Sequence, residues 1–202
     1  VEAKEEKRQE YLELIKDIPK DKLVFIDESG IEVSASKVRG WGKKGKILHG
    51  KKSGKYYERI NIVAGYVNKR SIAPLTFTGS CNRELFEAWV EQGLIKELQA
   101  GQCIILDNAA FHKSKKVKEL IESVGCKLIF LPPYSPDLNP IEKFWANMKK
   151  WIKEKTPEFT KALHLHHVLL LLYLNHYQTY KSLHQLKNYL LAIIHLISAM
   201  HH

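Results

Sequence analysis

Two short apolar runs each end on an aspartate: Leu23-Val-Phe-Ile-Asp27 and Cys103-Ile-Ile-Leu-Asp107. An unbroken apolar run of this length reads as a strand buried within a sheet that helices cover. A carboxylate at the rim of such a strand is costly unless it meets a cation or hydrogen-bond donors. The carboxyl ends of strands in α/β sheets are also where ligand sites collect. Thirty-four residues separate Asp107 from a third acid, Glu142 in Asn139-Pro-Ile-Glu142. Three acids remote in sequence form the kind of set that holds divalent metal against a phosphodiester.

Each acid also has a plainer reading. Asp27 suits a turn ahead of Glu28-Ser-Gly30. Strand alternation points Glu28 to the opposite face, so Asp27 is taken for the site and Glu28 is left out. Asp107 suits a helix cap, although His112 and Ser114 lie nearer the following helix. Glu142 fits a capping box, with Asn139 as N-cap and Pro140 at the first helical position. The same arrangement would fix a carboxylate at a helix's first turn, on an approach stiffened by Pro132, Pro133, Pro136 and Pro140. Asn108 and His112 stand close enough to Asp107 to reach a phosphate or to support the acids from behind; a hydrogen-bonded loop histidine is the alternative.

Lys and Arg outnumber Asp and Glu by 32 to 22 in the 202 residues, a formal charge of +10 that favours a polyanionic partner. The charge is clustered. Lys37, Arg39, Lys43, Lys44, Lys46, Lys51 and Lys52 alternate with glycines and with Trp41. That composition suits a flexible hairpin gripping a nucleic-acid backbone, with Trp41 free to stack or wedge. Lys113 opens a second cluster and Lys149 belongs to a third beside Glu142; solvated helix faces are the alternative for both. No glycine loop has the spacing of a nucleotide-binding P-loop. Cys81, Cys103 and Cys126 form neither an even disulfide set nor a Cys-x-x-Cys pair, so they read as reduced and mostly buried.

Along the chain, residues 4–18 carry a rough helical stripe that Pro19 stops. Strands are predicted at Leu23 to Asp27, Ile31 to Ser34, Arg59 to Val67 and Ile72 to Thr78, with Ser29-Gly30 as one break. A helix follows from Asn82 to Leu98, then a strand at Cys103 to Leu106, a helix at Lys113 to Val124 and a strand at Lys127 to Leu131. This order predicts an α/β fold, a mixed sheet flanked by helices, with a C-terminal helical tail. Residues 1–20 are expected to form a linker helix, 21–155 the main domain and 156–202 a His- and Leu-rich tail. Its apolar runs are too short for a membrane span, and His164-x-His166-His167 lacks the acidic or Cys partners of a zinc site. The N-terminus lacks a signal-peptide pattern, so a cytoplasmic protein is expected; the absence of an initial Met suggests a piece of a longer chain.

Four phrases together are distinctive: Val-Phe-Ile-Asp27-Glu-Ser-Gly30, Gly40-Trp41-Gly42-Lys43-Lys44-Gly45, Ile-Leu-Asp107-Asn-Ala-Ala-Phe-His112-Lys113, and Leu131-Pro-Pro-Tyr-Ser-Pro-Asp-Leu-Asn-Pro-Ile-Glu142-Lys-Phe-Trp145. From about Leu23 to Lys155 the chain resembles the catalytic domain of DDE transposases of the mariner-like superfamily, in its bacterial insertion-sequence branch. The resemblance implies an RNase H-like fold and Asp27, Asp107 and Glu142 as the catalytic, metal-binding triad. It also implies Mg²⁺ or Mn²⁺, as two ions, for DNA phosphodiester cleavage and strand transfer. The partners it implies are double-stranded DNA, as element ends and target, and a second copy of the chain in a synaptic dimer, with no membrane. An inactive DNA-binding remnant and a structure-selective nuclease are the alternatives.

Overall fold

The computed structural model describes residues 5–32, 45 and 59–155. Lys37, Arg39, Trp41, Lys43, Lys44, Lys46, Lys51, Lys52 and the tail from 156 to 202 lie outside the described residues. The elements are α1 (Glu5–Ile15), β1 (Leu23–Glu32), β2 (Arg59–Val67), β3 (Arg70–Phe77), α2 (Arg83–Trp89), α3 (Ile95–Glu97), β4 (Cys103–Leu106), α4 (Lys115–Ser123), β5 (Lys127–Phe130) and α5 (Ile141–Lys155). The five strands form one sheet in the order β3-β2-β1-β4-β5. β1, β2 and β3 pair antiparallel, whereas β4 runs parallel to β1 and β5 parallel to β4. The expected mixed α/β sheet is thus what forms.

Strand alternation divides the core in two. Leu23 and Phe25 of β1, with Cys103 and Ile105 of β4, pack beneath α5, which buries Ile141, Phe144, Trp145, Met148 and Ile152 at helical spacing. Tyr11 of α1 joins this layer and is 5 % exposed. Val24, Ile26, Ile104 and Leu106 face the other way, against Phe86, Trp89, Val90 and Leu94 and against Val117 and Ile121 of α4. Burying apolar side chains on both faces of β1 and β4 is what makes their sequences continuous apolar runs.

Three local departures have physical causes. Ser29-Gly30 does not break the first strand: β1 continues to Glu32, pairing Ser29 with Ile62 and Gly30 with Asn61. A Cβ on Gly30 would lie 2.2 Å from Arg59 Nε, so glycine here makes room for a neighbouring side chain rather than for a turn. The helix begun at Asn82, whose side-chain oxygen accepts from Leu85 N–H at 2.9 Å, contains a π-helical turn at Val90–Leu94. Third, the β2–β3 ladder slips between Val63 and Gly65, and Ala73 takes φ +46°. The Ala73 N–H bonds Glu97 Oε1 at 3.1 Å and its carbonyl accepts from Trp89 Nε1 at 2.6 Å. Pro74 follows on β3, an edge strand that tolerates the missing donor. Among the described residues no helix is long and apolar enough to cross a membrane.

The Trp89 bond to Ala73 is buried, so removing its donor leaves a carbonyl without compensation. Trp89→Phe is expected to lower stability by about 2 kcal/mol with an unchanged denaturant slope. Unfolding in urea measures it, and a midpoint equal to that of the parent chain would assign the bulge to the backbone alone.

Candidate active site

Parallel pairing brings the first two acids to one level. The register that sets Leu23 opposite Cys103 and Phe25 opposite Ile105 carries Asp27 to the height of Asp107, just past the end of β4. Both occupy the alternation that faces α5. Beyond β5 the chain turns back: Leu131 N–H bonds Leu106 C=O at 2.8 Å, and the segment to Asn139 leads into α5, whose second residue is Glu142. Asp27, Asp107 and Glu142 line one pocket of about 310 Å³, together with Asn108, Tyr134 and Asn139. Asn108 donates to Leu131 C=O and so ties the loop after β4 to the loop after β5.

The helix start differs from the expected capping box. Glu142 N–H bonds the backbone carbonyl of Asn139 at 3.1 Å. The Asn139 side-chain oxygen, in a residue only 5 % exposed, is buried without a hydrogen-bond partner. A backbone acceptor has taken the place of the side-chain cap, which leaves the side-chain oxygen uncommitted in a residue that lines the acid pocket.

Burial, then the negative fields of Glu142 and Glu28, push the Asp27 carboxyl up to about 7, with a smaller contribution from Asp107. Asp107 moves the other way. A hydrogen bond from His112 holds it below the usual carboxylate range against the effect of burial, assisted by Ala109 N–H at 2.9 Å. Two acids of one pocket are therefore shifted in opposite directions.

His112 is fully buried. Its Nδ1 lies 2.6 Å from Asp107 Oδ1 and its Nε2 lies 2.9 Å from Glu28 Oε1. The ring packs on Phe86 and Phe111, with centroids 4.4 and 4.3 Å away. A carboxylate oxygen at each nitrogen calls for a donor at each nitrogen, which is the imidazolium form. Burial alone would push His112 down, but the bonds to Asp107 and Glu28 outweigh it and lift the group to about 9. Glu28 does point to the face opposite Asp27, as alternation demands, and it lines a larger cleft of about 610 Å³ there. It still reaches Asp107, through the ring. Sequence reasoning missed this link because the histidine that bridges the two faces comes from a loop; the available signal was an acid beside Asp27 and a His five residues after Asp107.

The described lysines divide. Lys116 pairs with Glu91 at 2.6 Å, Lys115 with Glu119 at 3.5 Å and Lys118 with Glu122 at 3.8 Å, which fits a solvated helix face. Lys113 is exposed, with Nζ 5.8 Å from the Phe130 ring centroid, and its charge helps keep Asp107 ionised. Lys149 is exposed two turns along α5 from Glu142, on the same side of the helix. Among the described residues no three His, Cys, Asp or Glu side chains are already drawn together as a metal-binding group. The Asp107 oxygen turned to His112 and Ala109 gives one physical reason.

A raised carboxyl pKa means that the folded chain binds a proton more tightly than the unfolded chain, so stability falls as pH rises from about 4 through about 7. Asp27→Asn lacks that loss. In EDTA the variant is expected to be more stable than the parent by a few kcal/mol at about pH 7.5 and nearly equal to it at about pH 4. Thermal or urea unfolding at the two pH values reads the difference, and an advantage independent of pH would rule out a protonated Asp27.

The profile of the DDE superfamily endonuclease family matches residues 22–164. A curated relative, the uncharacterized protein y4pE/y4sA of Sinorhizobium fredii (strain NBRC 101917 / NGR234), is 40 % identical over 53 residues, which are 26 % of this chain and 37 % of that protein. Among solved structures, the Mos1 transposase paired-end complex with left transposon end matches with TM-score 0.57 at 14 % identity, over 86 % of this chain and 58 % of that one. The mariner Mos1 paired end complex with Mg matches with TM-score 0.57 at 15 % identity, over 92 % and 51 %. The chain thus spans less than two thirds of the length of these relatives. At such identities the structural likeness speaks for the fold, which is the RNase H-like mixed sheet that the sequence motifs implied. With its profile match covering well over half of the residues, the chain belongs to the DDE superfamily endonuclease family.

Proposed function

We propose that this chain is the catalytic domain of a transposase, which cleaves DNA phosphodiester bonds at element ends and joins the freed 3′ end to target DNA. The observation that carries this reading is the single pocket lined by Asp27, Asp107 and Glu142 at the carboxyl end of the sheet. Solved relatives point the same way: similar Mos1 structures include a strand transfer complex and paired end complexes with Mn and with Mg.

Two features of the pocket fit a hard divalent cation. The acids and Asn139 that line it offer oxygen ligands, and burial followed by the negative charges of Glu142 and Glu28 pushes its Asp27 carboxyl up, a cost that a cation would offset. In this proposal Asp27, the free oxygen of Asp107, Glu142 and Asn139 hold a pair of Mg²⁺ or Mn²⁺ ions. When bound, such ions supply Lewis-acid polarisation of the phosphoryl oxygens and charge compensation at the attacking and leaving oxygens. Asp27 must give up its proton to serve as a ligand, so metal affinity is expected to rise with pH up to about 7. His112 and Glu28 hold the Asp107 carboxylate in one orientation, and the Asn108 bond to Leu131 keeps the two loops from spreading. In this reading Lys113 and Lys149 supply cationic contacts to the DNA backbone, and the basic composition around Trp41 supplies more. Bringing two element ends together calls for two copies of the chain.

Asp107→Asn separates this reading from a DNA-binding protein that does not cut. The variant is expected to lose Mg²⁺-dependent nicking of plasmid DNA by at least roughly 10²-fold while binding DNA as tightly as the parent. Nicking at the parental rate would exclude the acid triad. Joining of a labelled 3′-hydroxyl end into a second DNA then tells strand transfer from plain hydrolysis.

A further inference from the structure

The turn between β5 and α5 holds a feature that neither the acids nor their supports use. Tyr134 is 70 % exposed, more than any other large hydrophobic side chain among the described residues. Its backbone lies at φ +56°, a left-handed conformation that bulky L-residues rarely adopt. Such strain persists only where the surroundings over-determine it, and it gathers at ligand sites.

The surroundings here do over-determine it. Pro133 precedes Tyr134, and Ser135, 3 % exposed, donates its hydroxyl to the Pro133 carbonyl at 3.2 Å. Leu138 N–H and Asn139 N–H then close turns onto the carbonyls of Ser135 and Pro136 at 3.1 and 3.0 Å. Glycine would accept this backbone without strain, and a polar side chain would suit the exposure. The chain instead holds a phenol ring in water at the lip of the pocket that contains Asp27, Asp107 and Glu142. A flat apolar face beside a phosphodiester-binding pocket matches one ligand chemistry closely: a nucleobase lifted out of its stack.

We propose that Tyr134 is a stacking platform for an unpaired nucleobase adjacent to the phosphodiester in the acid pocket. This rests on the nucleic-acid reading above and deepens it, because it specifies a substrate strand that is locally unstacked at the reacting position. Stacking is tolerant of sequence, since every base has a π-face, so the platform holds the strand without selecting it.

The test uses the full chain in EDTA, where no cutting occurs, with two DNA probes. One is a duplex carrying a short single-stranded overhang with 2-aminopurine at the first unpaired position; the other is the same duplex, blunt, with the analogue paired. The parent chain and Tyr134→Phe are expected to change the 2-aminopurine emission of the overhang probe on binding. Tyr134→Gly suits the left-handed backbone, so its melting temperature is expected to stay level or rise. It is expected to lose the emission change and to bind the overhang probe roughly 5- to 150-fold more weakly, with blunt-duplex affinity unchanged. An emission change preserved in Tyr134→Gly, an equal loss of affinity for both probes, or failure of Tyr134→Phe would each overturn the platform. A chain that stacks the base but never nicks DNA in Mg²⁺ would instead sink the catalytic reading alone.

Discussion

Parallel pairing of β1 with β4 is the constraint on which the site depends. Once Leu23 stands opposite Cys103, strand geometry leaves little freedom: Asp27 and Asp107 must emerge at one level, on the face that α5 covers. A slip by one residue would turn Asp27 into the other layer and replace it with Ile26 or Glu28. The apolar side chains that alternate between the two layers therefore fix both the stability of the sheet and the address of its acids. The third acid arrives by a different route, through a proline-rich return that leads straight into the first turn of α5.

Gathering negative charge at the end of a buried sheet is unfavourable, and the structure divides the burden unevenly. Asp107 is compensated by the buried imidazolium and a backbone amide, with Glu28 behind the ring balancing the histidine in turn. Asp27 is driven toward its neutral form by burial and by the charges of Glu142 and Glu28, against a single opposing backbone hydrogen bond among the described residues. One carboxylate is thus compensated within the chain, while the other is held toward its neutral form. The aromatic packing of Phe86 and Phe111 around His112 excludes the water that would otherwise weaken this chain of charges.

Much of this was legible in the sequence, and the illegible parts share a cause. The apolar runs at Leu23 and Cys103, the cap at Asn82 and the helix holding Glu142 are local patterns, and local physics decides them. Ser29-Gly30 carries a turn signal, yet its pairing with β2 keeps it extended; a tertiary ladder overrode a local preference. The capping box at Asn139 was matched in residue types but not in bonds, because the Asn139 carbonyl reaches the Glu142 amide first. Glu28 was set aside by correct reasoning about faces that had no means of seeing a loop histidine cross between them. The π-helical turn at Val90–Leu94 has no signature in the order of its residues.

The pucker at Ala73 and the proline beside it have one more consequence. They lie on the outermost strand of the described sheet, where the Ala73 amide and carbonyl are already turned inward to Glu97 and Trp89 and the next residue has no amide to offer. Such a border is a poor template for a visiting strand, which guards the exposed flank against adhesive growth into fibrils. A second copy would find little to pair with along this stretch of β3, so the polar ladder there stays closed on its own chain.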